Sequence, residues 1–406
     1  MRNFFRKLQG KTQKKDVLRN EYYENISARL GIVQVVLYLS LFAFVILSFF
    51  RNTELITYRN FYRFFKDLNA SAESVFAQSS DSVSYPVGEV QSFTLYRKGL
   101  AVAGNTSVTL FTATGRQTVS QNISYQNPVA VGTGKYLLVY DLGGLQYSLY
   151  NSYAQIFTGT SEYPISGAAV SDSGTFAIIS SSEAYTSVVS LYNDDFALLN
   201  KYNKIGYVMD VSINSKGTQL AILTVSPKDG AFATELMLCR PGESKAEAQK
   251  DLGNTVGWRC AFVSDDCLAV LHEGGLVHYS ETGEKLSGYS FGQSAPIAVD
   301  LCRDGVAICM PGVEKDEKNA KNVIIVFDKS GKMVYNESVS GQPQQIARSG
   351  SSLYWVTKDG VSRLNLKNGD VAFSACGVSR KKLLASSETE ALLCSPQKAE
   401  YITFAP

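Results

Sequence analysis

Residues 170–195 read VSDSGTFAIISSSEAYTSVVSLYNDD. Ser173-Gly174 is a tight-turn signal and FAIIS is a short apolar run of strand formers. SVVSLY is a second such run, ending at Asn193-Asp194-Asp195. The pattern recurs. Tight turns between apolar strands fall at Lys98-Gly99, Thr133-Gly134, Ser173-Gly174, Lys216-Gly217, Asp265-Asp266, Asp304-Gly305, Ser349-Gly350 and Thr389-Glu390. Seven steps cover 291 residues, and about 42 per step is the length of one four-stranded propeller blade.

The strand after each turn is a buried apolar run, such as LAVAG, YLLVY, QLAIL or VAICM. The next strand alternates and often ends at a glycine turn: Gly115, Gly242, Gly283, Gly331 and Gly369. Eight units of strand, turn, strand, loop, strand, turn, strand fit residues 90–406. The expected fold is therefore all-β, an eight-bladed β-propeller, with seven blades as the alternative. The last unit supplies only three strands: KKLLASS, ALLCSP and EYITFAP. An open ring exposes strand edges, so DSVSYPVGE before the first unit is expected to close it, with Ser82–Val87 beside Glu400–Phe404. Pro86 suits an outer edge.

Outward from the repeat, the N-terminal region differs in kind. Leu30 to Phe50 carries no charge and lies between Arg29 and Arg51. At about 1.5 Å per residue, 21 residues cross a bilayer core of roughly 30 Å, so 30–50 is read as an uncleaved transmembrane helix in contact with lipid. Residues 1–29 hold eight Lys/Arg against three acidic residues, while 85–406 hold 27 against 30. The positive-inside rule then gives a cytoplasmic basic tail at 1–29 and an extracytoplasmic domain at 82–406 in the cell membrane. Within 51–81, Leu55, Tyr58, Tyr62, Phe65 and Leu68 recur at helical spacing. They predict a juxtamembrane helix on lipid or on the domain, followed by a Ser-rich linker.

Composition narrows the chemistry. The slightly acidic domain has no nucleic-acid footprint. All seven cysteines follow residue 238, most of them within apolar runs such as ELMLC and CLAVL, and read as buried thiols, with Cys260/Cys267 and Cys302/Cys309 near enough for bonds across hairpins. No zinc spacing occurs. His272 and His278, the only histidines, read as hairpin residues, and no nucleophile elbow accompanies them. The acidic turns at Asp172, Asp265 and Asp304 read as ordinary turn chemistry rather than calcium loops. No cofactor, metal or catalytic residue is assigned.

Phe327-Asp328 and Tyr140-Asp141 sit where WD40 repeats place an aromatic-Asp pair. The repeat resembles WD40-like and quinoprotein-like propellers, without the tryptophan docking motifs of the latter. The whole plan, with ITYRNFYRFFKDL after the apolar stretch, resembles a family of uncharacterised bacterial single-pass membrane proteins with an extracytoplasmic propeller. That resemblance implies no activity and no site residues.

Binding residues are sought in the loops. In an antiparallel meander the loops after each second strand share one face with the connections between blades. Three are long or polar: Ser181–Thr186, Ser226–Thr234 and Pro311–Asn322. The candidate rim residues are Glu314, Lys315, Asp316, Glu317, Lys318, Lys321, Lys228 and Asp229. A second candidate is an aromatic platform of Tyr136, Tyr140, Tyr147, Tyr150 and Tyr153. The expected function is a membrane-anchored binding or scaffold protein of the cell envelope, holding an envelope protein or a cell-wall polymer. The alternatives are an enzyme with its site in the central channel, and a ligand sensor coupled through the span.

Overall fold

The computed structural model describes residues 30–31, 33–43, 82–152, 154–243, 245–312, 321–339, 341–377 and 382–405. The chain divides into two compact units, Met1–Ala72 and Glu73–Pro406. In the first, residues 33–43 are helical and exposed. Among the described residues no helix is long and apolar enough to cross a membrane. The expected span over 30–50 is thus seen only as this short helix, and 44–50 lie outside the described residues. So do the basic tail and the expected juxtamembrane helix.

The second unit is a propeller of eight four-stranded antiparallel sheets. Strand β1 (Ser82–Ser84) precedes the first blade, which is β2 (Gln91–Tyr96), β3 (Gly99–Gly104), β4 (Ser107–Phe111) and β5 (Gln117–Asn122). Blade 2 is β6 (Pro128–Gly132), β7 (Leu137–Asp141), β8 (Gln146–Tyr150) and β9 (Gln155–Thr160). Blade 3 is β10 (Ile165–Val170), β11 (Phe176–Ser180), β12 (Ser187–Tyr192) and β13 (Leu198–Lys204). Blade 4 is β14 (Tyr207–Ile213), β15 (Leu220–Lys228), β16 (Ala231–Cys239) and β17 (Ala246–Asp251). Blade 5 is β18 (Gly257–Ser264), β19 (Cys267–His272), β20 (Gly275–Ser280) and β21 (Lys285–Ser290). Blade 6 is β22 (Ala298–Cys302), β23 (Gly305–Met310), β24 (Asn322–Asp328) and β25 (Met333–Val339). Blade 7 is β26 (Gln345–Ser349), β27 (Ser352–Val356), β28 (Gly360–Asn365) and β29 (Val371–Ala375). Blade 8 is β30 (Lys382–Ala385), β31 (Glu390–Cys394) and β32 (Lys398–Thr403), with β1 as its fourth strand.

All eight tight turns read from the sequence join the first two strands of a blade. Each first strand contacts the first strands of both neighbouring blades, so these strands ring the central channel. The second strands are the most buried: β3, β7, β11, β23 and β27 are buried at every position. Both faces of such a strand pack against neighbouring blades, which is why they read as continuous apolar runs.

Closure follows the expected plan in a shorter register. Ser82, Val83 and Ser84 pair with Glu400, Ala399 and Lys398, and the Tyr85 N–H donates to the Gln397 carbonyl at 3.1 Å. Pro86 has no N–H to continue the ladder, and the antiparallel direction carries the pairing toward Gln397 rather than Phe404. Tyr85 anchors the seam. It is buried, its hydroxyl donates to the Ser395 carbonyl at 2.6 Å, and its ring packs on Phe93 and Phe111 at centroid distances of 5.6 and 6.5 Å.

Two further expectations change. Ser226–Thr234 is not a loop: β15 and β16 run on as a ladder to Lys228 opposite Ala231. They turn at Asp229 (φ 50°) and Gly230 (φ 81°), left-handed values that suit a two-residue hairpin turn. None of the seven cysteines is joined in a disulfide. Cys260 faces Val270 and Cys267 faces Ser264, while Cys302 faces Gly305 and Cys309 faces Ala298, so neither suggested pair meets.

Candidate functional site

The two ends of the propeller are built differently. At the end bearing the tight turns, carboxylates brace neighbouring blades. Asp172 Oδ1 accepts from Gly134 N–H of blade 2 at 2.7 Å. Asp265 Oδ1 accepts from Ser215 N–H and hydroxyl of blade 4 at 3.0 and 2.6 Å. Asp304 Oδ2 accepts from Gly350 N–H at 2.7 Å, and Glu388 Oε1 from Ser351 N–H at 2.9 Å. The Ser351 N–H and hydroxyl hold the Glu388 carboxyl below its usual range. Arg303 of blade 6 reaches Asp172 of blade 3; blades three steps apart can meet only across the channel. The acidic turns that read as ordinary turn chemistry are also the fasteners between blades.

Inside the channel the first strands present an open edge, and the neighbouring blade satisfies its donors. Ser92 Oγ accepts from Ala130 N–H at 3.0 Å, Asp210 Oδ2 from Cys260 N–H at 2.9 Å and Ser212 Oγ from Phe262 N–H at 3.0 Å. Asp300 Oδ2 accepts from Arg348 N–H at 2.8 Å, and Gln345 Oε1 from Leu383 N–H at 2.9 Å. Burial pushes the Asp210 carboxyl up to about 6, against the pull of the Cys260 N–H and the Arg259 charge. Burial raises Asp300 likewise, opposed first by the Arg348 N–H. The Arg348 guanidinium donates to the carbonyls of Phe327 at 2.6 Å and Gly350 at 3.2 Å. These channel charges hold blades together. Both histidines lie on other strands of blade 5, and no group of three or more His, Cys, Asp or Glu able to hold a metal occurs among the described residues.

The opposite end, with the inter-blade connections, carries exposed apolar groups around blades 3 and 4. Ile205, in the connection from β13 to β14, is 86% exposed; Tyr207 is 61% exposed and Phe232 is 54% exposed. Tyr207 lies opposite Val225, and Val225 opposite Thr234. Phe232, two residues from Thr234, therefore shares their sheet face. That face turns toward blade 5, because Thr234 Oγ1 accepts from Gly257 N–H at 2.8 Å. Gly206 lets the connection lie against the hairpin arm: a Cβ there would fall 2.7 Å from the Val225 carbonyl oxygen. At the same end, a groove of about 530 Å³ runs between the connection at 160–163 and blade 3, lined in part by Tyr163, Tyr185 and Leu198. Glu162 and Lys201 face each other there at 4.0 Å.

The candidates from sequence scatter over this frame. Lys228, on the arm, pairs with Asp251 at 3.0 Å, and Asp229 forms the arm's turn. Lys321 stands at the foot of β24, two blades away. Glu314, Lys315, Asp316, Glu317 and Lys318 lie outside the described residues, as does Tyr153. The tyrosines do not assemble into an exposed platform. Tyr140 and Tyr147 are buried on one face of blade 2, with Phe176 and Ile178, and Tyr136 packs there. Tyr150 is buried on the other face with Leu137 and Val139, because positions of opposite parity on a strand point to opposite faces. The apolar patch was missed by sequence reading, although Ile205-Gly206-Tyr207 is an apolar stretch at a connection where loops are ordinarily polar.

Comparison with known proteins agrees with this architecture. No curated protein matches the chain in sequence. Among solved structures it is similar to the C-terminal WD40 domain of Sif2, with a TM-score of 0.56 and 12% identity over 82% of this chain and 100% of that one. It is also similar to Chaetomium thermophilum Sqt1 bound to the N-terminus of the ribosomal protein L10, with a TM-score of 0.54 and 10% identity over 81% and 100%. BamB from Moraxella catarrhalis gives a TM-score of 0.50 and 12% identity over 81% and 100%. Identities this low carry the fold alone. A family model described as a family of unknown function, DUF5711, matches residues 74–404, nearly the whole propeller. The chain belongs to the DUF5711 family.

Proposed function

We propose that this protein is a binding scaffold that captures a partner protein on the propeller end carrying Ile205, Tyr207 and Phe232. The exposed apolar patch is the observation that carries this reading. Large apolar side chains gathered in one place on a soluble face mark interaction sites, and aromatic anchors dominate such interfaces. The opposite end is occupied by blade-to-blade fasteners, and the channel charges serve the same purpose. The Sqt1 structure, solved with the N-terminus of L10, supports a propeller of this general shape holding a protein segment.

The apolar stretch at 30–50 and the basic residues before it support a membrane anchor, with the propeller outside the cytoplasm and an envelope protein as the partner. Two measurements test the reading. A photo-crosslinking residue at Tyr207 or Phe232 in intact cells should trap a discrete partner, while one at Lys216 on the opposite end should not. Equal trapping from both ends removes the patch from consideration. Protease added to intact cells should reach a tag at Pro406 and spare one at Met1; a C-terminal tag reached only after lysis ends the envelope reading.

A further inference from the structure

The outermost strand of each blade has one backbone edge without a strand partner, and proteins protect such edges with charge, proline, bulges or short length. Six of the seven blades completed by consecutive strands keep polar groups at this edge, on β13, β21 and β25 beside exposed Leu198, Leu199, Leu286, Met333 and Val334. Their outer strands expose polar side chains: Gln117 and Asn122 on β5, Thr158 and Thr160 on β9, and Lys201 and Asn203 on β13. The same holds for Glu247 and Asp251 on β17, Lys285 and Ser290 on β21, and Asn336 and Glu337 on β25. Blade 8 ends in the three-residue β1. Blade 7 alone among them exposes no polar side chain on its outer strand. Its outer strand reads VAFSA, and Val371, Ala372, Phe373 and Ala375 are all exposed, Val371 at 58% and Phe373 at 57%. The strand is regular along its length, with Gly360 opposite Ala375 and Leu364 opposite Val371. The Phe373 ring lies over Gly360, where a Cβ would fall 2.7 Å from its Cζ.

We infer that β29 is a self-pairing edge, at which two copies of this chain join antiparallel about a two-fold axis through Phe373. The self-complementarity of the strand argues for a second copy as the occupant. An antiparallel dyad at Phe373 sets Val371 opposite Ala375 of the other copy and Ala372 opposite Ser374. No charge meets its like, and Asp370 falls opposite Cys376. The same operation about the middle residue of β13, Lys201, would set two lysines face to face, which is destabilising. Two-fold pairing also buries the same patch on both subunits, the commonest form of homo-oligomer. It leaves the patch on blades 3 and 4 free, so this inference stands apart from the proposed partner capture.

The test uses the full-length chain in membranes and in detergent. In a Cys376→Ser background, Phe373→Cys should form a disulfide-linked dimer under mild oxidation, since residues facing each other on a dyad come within disulfide range. Lys285→Cys on the outer strand of blade 5 should stay monomeric under the same treatment. Phe373→Lys should keep the wild-type melting temperature and weaken the dimer at least tenfold by sedimentation. A chain that is monomeric throughout with Phe373→Cys uncrosslinked overturns the inference. So does a dimer that Phe373→Lys leaves intact, or a Phe373→Cys adduct that contains a different protein.

Discussion

His278 Nδ1 lies 3.0 Å from Ser287 Oγ, and that hydroxyl in turn donates to the Gly331 carbonyl at 2.6 Å. The Ser287 proton is therefore committed, and the imidazole must donate from Nδ1. Nε2 is left as an acceptor, buried and without a partner. Phe327 packs on the ring at a centroid distance of 5.3 Å. Burial pushes the imidazole pKa down to about 4, with Asp328 pulling weakly the other way.

A pH dependence follows. The folded state holds His278 neutral down to about pH 4, whereas the unfolded chain protonates it near 6.5. Stability is therefore full above pH 6.5 and falls as the pH drops toward 4, by up to ~3 kcal/mol at 1.36 kcal/mol per unit. Asp210, with its carboxyl raised to about 6, works in the opposite sense: its contribution is full below about pH 4 and is lost as the pH rises through 6. Denaturant midpoints at pH 7.5 and 4.5 should separate the two. His278→Gln should lose less stability than wild type on acidification, and Asp210→Asn should lose more. Identical pH profiles for wild type and His278→Gln would show that this imidazole does not titrate on unfolding.

The seam is the second test. Tyr85→Ala removes a buried ring and the hydrogen bond to Ser395, and should cost about 3 kcal/mol or more. Hydrogen exchange should show protection lost first in β31 and β32, with β15 and β19 unchanged, because untied termini open before the body does. Uniform loss across all blades would mean the ring opens as one unit.

A third prediction separates two partners of Asp172. Asp172→Ala strips the acceptor from Gly134 N–H and should destabilise by about 1 kcal/mol. Arg303→Ala removes only a half-exposed ion pair and should stay within ~0.5 kcal/mol of wild type by chemical denaturation. Equal losses would make the bridge across the channel, rather than the brace between neighbouring blades, the main role of Asp172.

The blades were legible because each carries its own turn and apolar run: Lys98-Gly99 with LAVAG, or Asp304-Gly305 with VAICM, can be read without knowing what lies beside it. The bonds between blades were not, since they depend on which residues of two repeats come to the same height. Nothing in the local sequence says that Asp210 will meet Cys260 N–H or that Asp172 will meet Gly134. The tyrosines of blade 2 were visible as a cluster, but the cluster splits by strand parity once the register is known. Ser226–Thr234 read as a loop because Pro227 and Asp229-Gly230 are turn residues; Pro227 instead sits within β15, and only the last pair makes the turn.

The join between β1 and β32 also sets an order on biosynthesis. Ser82–Ser84 are among the first residues of the propeller to leave the ribosome, and their partners Lys398–Glu400 are among the last. At about 5–20 residues per second, the early strand waits on the order of half a minute with Val83 and Tyr85 uncovered. Seven blades can collapse in turn as they emerge, while the ring stays open until β32 has followed them. A chain stalled before Lys398 would hold most of its core yet present two raw edges, a form that proteases and chaperones can tell from the finished product.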